Sequence, residues 1–133
     1  MKPIRAKVTK SLPVGAYLDV CDNSGAKEIK VTNIRKQKTV KGRVPSGGVG
    51  DLIMASVKKG KPEIRKKVVL AVIVRQKKEF RRPDGTRVKF EDNAAVVVKD
   101  PKGNPQGTII KGAVSKEVTT RWPGIAKLAK IIV

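Results

Sequence analysis

The stretch VVLAVIVRQKKEFRRPDGTRVKF, residues 68–90, decides the fold. Val68 to Val74 are apolar throughout, seven residues without a polar break. A strand buried on both faces carries such a run. The run then meets seven cations within fifteen residues: Arg75, Lys77, Lys78, Arg81, Arg82, Arg87 and Lys89. Pro83-Asp84-Gly85 sits among them, with proline to preset the first central φ and Asp-Gly to complete a turn. Past the turn, Val88 and Phe90 fall on one face of an extended segment and Arg87 and Lys89 on the other. The stretch reads as a hairpin that starts in a β core and projects outward, with cations on its tip and flanks.

The rest of the chain agrees with a β core. Val and Ile dominate the apolar set, and β-branched side chains pack well on a pleated surface. Turn-forming clusters such as Asn23-Ser24-Gly25, Pro45-Ser46-Gly47-Gly48 and Pro101 to Gly107 separate short apolar runs. Strands are expected at 16–22, 27–34, 51–58, 67–76, 86–90, 94–99 and 108–111. So few hairpin-linked strands best remove their open edges by closing into a small antiparallel barrel. The period changes near the C-terminus, where Val114 and Val118 are four apart and Trp122-Pro123 breaks the chain. Ile125, Leu128, Ala129 and Ile132 then recur at helical spacing, with Lys127 and Lys130 on another face. The expectation is a mainly β protein: one domain over 1–133, a closed barrel roughly at 1–111, a projecting basic hairpin, and two short helices within 112–133. Ile125, Leu128 and Ile132 should face the barrel.

Charge points to the partner. The 133 residues hold 31 Lys and Arg against 11 Asp and Glu, a formal net charge of +20. Repulsion of that size opposes compaction unless a polyanion is normally present. Residues 35–89 alone hold 18 basic and four acidic residues. Two further segments share the surplus with the hairpin. One carries Arg35, Lys36, Lys38, Lys41 and Arg43; the other carries Lys58, Lys59, Lys61, Arg65, Lys66 and Lys67. A solvated sheet edge guarded by charge needs one or two such residues. Phosphate suits this many, because each cation brought near it releases a condensed counterion.

The kind of nucleic acid follows from what is scarce. Binders of single strands stack bases on aromatic platforms, and this chain has only Tyr17, Phe80, Phe90 and Trp122. Tyr17 and Phe90 read as core residues and Trp122 as a helix-packing residue. Phe80 reads equally well as a hydrophobic lid or as a stacking platform. Without a helix-turn-helix or a ribonucleoprotein aromatic motif, the expected mode is recognition of folded RNA by shape and phosphate, not DNA.

Other chemistries find little support. There is no His, and the one cysteine, Cys21, is expected to be a buried small apolar residue. The glycine loop at 45–51 lacks the Gly-Lys-Ser/Thr ending of a phosphate cradle and reads as a flexible connector. Glu91-Asp92-Asn93 reads as a turn with local hydrogen bonds rather than a catalytic carboxylate pair. No catalytic residue, metal or cofactor is expected. The start of the chain has no apolar core like that of a signal peptide, and the seven-residue apolar run is too short to span a bilayer. An intracellular protein without a membrane partner is expected. Two other readings stay open: a free-standing RNA chaperone with a small barrel, and a nucleic-acid enzyme using Asp51, Glu91 and Asp92.

Several segments, in order along nearly the whole chain, resemble the universal large-subunit ribosomal protein L-fourteen family. They are Asp22-Asn23-Ser24-Gly25-Ala26-Lys27, Gly48-Val49-Gly50-Asp51, Ala71 to Arg75, Arg82-Pro83-Asp84-Gly85, Phe90 to Ala94 and Gly107-Thr108. Val57 to Lys67 and Arg121-Trp122-Pro123 look like its archaeal and eukaryotic branch. Residues 109–114 depart from the bacterial pattern, which has an Arg after the Gly-Thr and an aromatic and a Pro near the following Gly. The resemblance implies a five-stranded barrel with C-terminal helices, bound to large-subunit rRNA beside neighbouring large-subunit proteins in the cytoplasmic ribosome. It also implies intersubunit bridges to small-subunit rRNA, through Lys58, Lys59 and Lys61 and through Ala126, Lys127 and Leu128. The surface near that last helix is implied to dock a subunit anti-association factor, initiation factor six.

Overall fold

The computed structural model describes residues 2–133, and Met1 of the expected 1–133 unit lies outside them. In chain order the strands are β1 (Leu12–Pro13), β2 (Tyr17–Val20), β3 (Ala26–Ile34), β4 (Ser46–Gly47), β5 (Leu52–Gly60), β6 (Val68–Arg75), β7 (Phe80–Arg81), β8 (Arg87–Val88) and β9 (Ala94–Val98). There follow β10 (Ala113–Val114), helix α1 (Lys116–Arg121), helix α2 (Pro123–Leu128) and β11 (Ile131–Ile132). Five strands close the expected barrel in the order β2-β3-β5-β6-β9. Four of its seams or near-seams are easy to anticipate from hairpins, and β2–β3, β3–β5, β5–β6 and β6–β9 are indeed antiparallel. The closing seam is not: β2 and β9 run parallel, pairing Asp19 with Ala94 and Val20 with Ala95. A wholly antiparallel barrel is therefore corrected at this one seam, where an odd number of alternating strands leaves the first and last pointing the same way.

Strand parity builds two apolar clusters on opposite sides of one sheet. Leu18, Ile29, Val31, Ile53, Ala55, Val57, Ala71, Ile73, Ala95 and Val97 pack together inside the barrel. Alanines at 55, 71 and 95 make room among the branched side chains, as a narrow barrel requires. The alternate residues Leu52, Val72, Val74, Ala94, Val96 and Val98 pack outward against Phe80, Val114, Val118, Trp122 and Ile125. Both faces of β9 and of Ala71–Val74 in β6 are thus covered, which accounts for those apolar runs, whereas Val68, where the expected two-face burial of the run begins, is 60% exposed. At about 25 cal/mol per Å² of apolar area removed from water, each such Val or Ile contributes roughly 1.5–3 kcal/mol.

The helical end seals the outer cluster. Trp122 is 1% exposed, and its Nε1 donates to the Gly50 carbonyl at 2.8 Å. Gly103 brings the 100–107 turn onto the indole with φ +90°, and a Cβ there would stand 2.3 Å from the ring. Pro123 opens α2 at a position where its missing N–H costs nothing. Glu117 near the start of α1 and Arg121 at its end suit the helix dipole.

Several local expectations are corrected. Tyr17 is 55% exposed, because Leu18 points inward and its neighbour must point out; Lys30 Nζ lies 5.8 Å from the ring centroid. Phe90 is half-buried, packed on the rim of the outer cluster. Residues 108–111 form no strand beyond one bridge from Ile110 to Asp22. Asn23 Oδ1 takes the backbone N–H groups of Thr108 at 2.7 Å and Ile109 at 3.2 Å, so a side-chain amide substitutes for a ladder. Ile132 does not face the barrel: α2 ends at Leu128, and Ile131–Ile132 pair in parallel with Ala113–Val114, leaving Ile132 half exposed. The β-branched tail prefers extension over another helical turn.

The glycine loop is an anchored segment, not a flexible connector. Ser46–Gly47 pair with Leu12–Pro13, and residues 47–51 are buried. Asp51 Oδ2 accepts from Gly48 N at 2.8 Å and lies 2.6 Å from Lys10 Nζ, while Arg121 Nη1 stands 3.3 Å from Oδ1. Gln76, fully buried at the end of the apolar run, accepts from Val49 N and donates to the carbonyls of Thr9 and Lys78. An uncharged Gln among the cations Arg75, Lys77 and Lys78 was the sequence signal for that clamp.

Candidate nucleic-acid interface

Loop 35–44 leaves the barrel after Ile34, whose side chain is buried in the barrel interior. Arg35, Lys36, Lys38, Lys41 and Arg43 are all exposed. Lys36 (φ 62°) and Lys41 (φ 59°) hold left-handed turns that a non-glycine residue adopts only in particular loop geometries. Val40 and Val44 are exposed among the cations, at 66% and 62%. Segment 58–67 ends β5 at Gly60 and continues as a short, folded loop. Ile64 packs against the barrel interior, Ile64 N and Arg65 N donate to Lys61 O, and Lys66 N donates to Val57 O. Its backbone therefore has little slack, while Lys58, Lys59, Lys61, Arg65, Lys66 and Lys67 all face solvent. Among the described residues, none of the cations of these two loops enters an ion pair.

The hairpin is different. Its turn forms as expected: Gly85 N donates to Arg82 O at 2.9 Å, and Asp84 Oδ1 accepts from Thr86 N and Oγ1. Those bonds from Thr86, side chain first and then backbone, hold the Asp84 carboxyl below its usual range. The arms, however, do not project freely. Phe80 is completely buried in the outer cluster, which settles it as a lid, and Lys7 bridges to Arg81. Arg82 Nε lies 2.7 Å from Glu117 Oε1, its Nη2 reaches Oε2 at 3.2 Å and Val133 O at 2.6 Å, and its guanidinium sits 5.9 Å from the Phe80 ring centroid. Burial alone pushes the Glu117 carboxyl up. Hydrogen bonds from Arg82 and from Ser115 Oγ, with the Arg82 charge, outweigh it and hold the carboxyl below its usual value.

Arg75 is committed as fully. Its Nη2 donates to Asp92 Oδ2 at 3.1 Å, and its Nη1 to the carbonyls of Ala113 at 2.9 Å and Lys111 at 3.2 Å. Its Nε stands 3.0 Å from Asp92 Oδ1 but is not aligned for a hydrogen bond, so that contact is electrostatic. Arg75 and Arg82 therefore anchor the hairpin to the rest of the fold. Lys77, Lys78, Arg81 and Lys89 stay exposed and free, and Arg87 makes only a loose 3.8 Å pair with Glu79.

Two of the three carboxylates considered for an enzyme are occupied structurally, and the third, Glu91, is exposed. Asp51 is buried between Lys10 and Arg121, and Asp92 faces Arg75. Among the described residues no group of three acidic or Cys side chains could hold a metal ion. Cys21 is buried beside the Ala95 carbonyl, and desolvation pushes its thiol up to about 11. Of the second set of site residues, Lys58, Lys59, Lys61 and Lys127 are exposed, whereas Ala126 and Leu128 are half-buried. No helix among the described residues is long and apolar enough to cross a membrane.

Comparison with known proteins places this geometry. The model of the family described as ribosomal protein L14p/L23e matches residues 11–133. A large ribosomal subunit protein uL14 from Methanococcus maripaludis is 56% identical over 132 residues, covering 99% of both chains. The protein of the same name from Nanoarchaeum equitans is 53% identical over 133 residues and covers all of both. That of Methanothrix thermoacetophila is also 53% identical over the full length of both.

Proposed function

The chain belongs to the ribosomal protein L14p/L23e family, in its archaeal branch, and is a structural constituent of the large subunit of the cytoplasmic ribosome rather than an enzyme; from that premise we propose that it binds large-subunit rRNA through its two basic loops and the free cations of its hairpin. One observation carries this reading. Eleven cations stand exposed and unpaired on loops 35–44 and 58–67, both rooted in the barrel. Mutual repulsion makes that arrangement unfavourable in isolation and favourable against phosphate. With Tyr17 as the single well-exposed aromatic, shape and phosphate recognition of folded RNA fits better than stacking on single strands.

The same reading assigns intersubunit bridges to small-subunit rRNA through Lys58, Lys59, Lys61 and the Ala126-Lys127-Leu128 surface. Lys127 supplies charge there and half-buried Leu128 the wall behind it. An anti-association factor, initiation factor six, is the protein partner of the surface near α2, and neighbouring large-subunit proteins are further partners. It also treats 1–133 as one folding unit, because Val114, Val118, Trp122 and Ile125 share their apolar cluster with the barrel's outer face.

The test is RNA affinity against salt. If about 6 to 8 phosphates are neutralised, log K falls with log salt at a slope near −4 to −7. A slope close to zero removes the phosphate reading. Transient association with many transcripts, without retention in salt-washed large subunits, would favour a chaperone instead.

A further inference from the structure

A hollow of about 290 Å³ lies between the turn at Arg35, Lys36 and Gln37 and the end of α1 at Arg121, with Pro101 on its wall and Asp51 at its floor. Three cations thus surround one carboxylate. That carboxylate is already spent on Lys10 Nζ at 2.6 Å, Gly48 N at 2.8 Å and Arg121 Nη1 at 3.3 Å. The hollow keeps a positive surplus, and among the described residues no further carboxylate lines it.

Arg121 shows where an anion would sit. Its side chain is 17% exposed and is held through Nη1 alone, to Gly50 O and Asp51 Oδ1. Its Nε is buried without an acceptor. Nη2 makes no hydrogen bond among the described residues and is not buried, while Nη1 fixes the guanidinium in place. A guanidinium N–H held in this way donates a charge-assisted bond to a phosphate oxygen. Such an arrangement is prepared for a ligand without being satisfied by the fold. Lys36, fixed in a left-handed conformation at φ 62°, shapes the rim.

We infer that this hollow seats one phosphate group, held by Arg121 Nη2 and neutralised by Arg35 and Lys36. Arg121 lies outside the basic loops, so the site joins the C-terminal helix to loop 35–44 through a shared ligand. Its natural source, a phosphodiester of folded RNA, rests on the RNA-binding reading above; the site itself does not, since a free phosphate has the same chemistry.

The test uses full-length, ¹⁵N-labelled protein at constant ionic strength and follows the Arg121 Nε–Hε resonance. Inorganic phosphate should shift it saturably, while chloride and the exposed control Arg65 should show no saturation. Lys36→Met and Arg35→Met should each weaken phosphate by about tenfold, the loss of one charge-assisted contact. Arg121→Lys keeps the charge beside Asp51 but loses the Nη2 donor, so the Lys36 amide should no longer report saturation. An A-form RNA duplex should move the Arg121 signal and raise the phosphate concentration needed. If the duplex binds without moving it while phosphate still saturates, the RNA source is overturned and the site belongs to free phosphate. If phosphate and chloride act alike, the site is overturned, yet steep salt-dependent RNA binding would leave the RNA reading standing.

Discussion

The hairpin of residues 75–89 and the loop of residues 58–67 carry similar densities of cations and use them differently. Six of the loop's ten residues are basic, and all six face solvent without a carboxylate partner. In the hairpin, Arg75 and Arg82 turn back onto Asp92 and Glu117. The difference lies in what each segment packs against. Glu117 of α1 and Asp92 of the 91–93 turn supply the hairpin's carboxylates, and Lys111, Ala113 and Val133 its carbonyls. The loop carries Glu63, itself exposed, and Glu28 lies across from Lys59 without forming an ion pair among the described residues. Side-chain type follows use. The anchors are arginines, whose planar fork reaches two acceptors at once, whereas five of the loop's six cations are lysines. A basic segment in a sequence is therefore a mixture of anchors and reach, and only the neighbouring fold separates them.

Four experiments would sharpen or break that division. Arg75→Ala should have the largest effect: it leaves Asp92 unpaired and two carbonyls short of a donor. A loss of about 2–3 kcal/mol is expected, discounted because Asp92 is 38% exposed. Thermal unfolding at low salt reads it, and an unchanged midpoint would mean Arg75 is no anchor.

Next comes the Arg82–Glu117 pair. The folded Glu117 carboxyl titrates below its unfolded value of 4.5. Its contribution is thus fully present above about pH 4.5 and is lost as pH falls through the lower folded value. Denaturant midpoints measured from pH 6 downward should fall over that window. Glu117→Gln should cost about 1–2 kcal/mol at neutral pH and flatten that part of the curve.

The hairpin's free cations follow. Lys77→Gln, Lys78→Gln and Arg81→Gln together should alter stability by no more than about 0.5 kcal/mol, while lowering RNA affinity and making the salt slope shallower by about 0.9 per phosphate released. Adding Arg82→Gln to the set should unmask a stability loss without a matching step in affinity. Equal steps in both quantities would erase the distinction between anchor and reach.

Lys127→Glu should affect folding least of all, because the side chain is exposed and unpaired. Purified mutant large subunits should incorporate the protein normally and join small subunits, or dock the anti-association factor, more weakly at moderate salt. If both match wild type, that face of α2 is merely solvated.

These pairings also explain what was legible in the sequence. The barrel was, because parity and two-face burial act through neighbouring residues: Ala71 to Val74 and Ala94 to Val98 announce themselves as covered strands, while Val68 to Leu70 carry the same apolar signal and stay partly open. The turn at Pro83-Asp84-Gly85 and the break at Trp122-Pro123 are likewise local. What sequence could not supply was meeting distance. Arg82 finds Glu117 thirty-five residues away and Asp51 finds Lys10 and Arg121, and no period connects such positions. Tyr17 was misplaced because a four-residue strand gives too few positions to fix its parity against Leu18.

The parallel seam between β2 and β9 sets the order in which this chain can fold. β9 pairs with both β2 and β6, and its five residues feed both apolar clusters. Until residues 94–98 arrive, the preceding strands form at best an open sheet with two bare edges and uncovered faces. Joining Val20 to Ala95 closes a long loop whose entropy must be met before any reward, which favours a late, cooperative step over stepwise growth. During that interval the chain resembles an aggregation template, and its own positive charge is what keeps two such sheets apart.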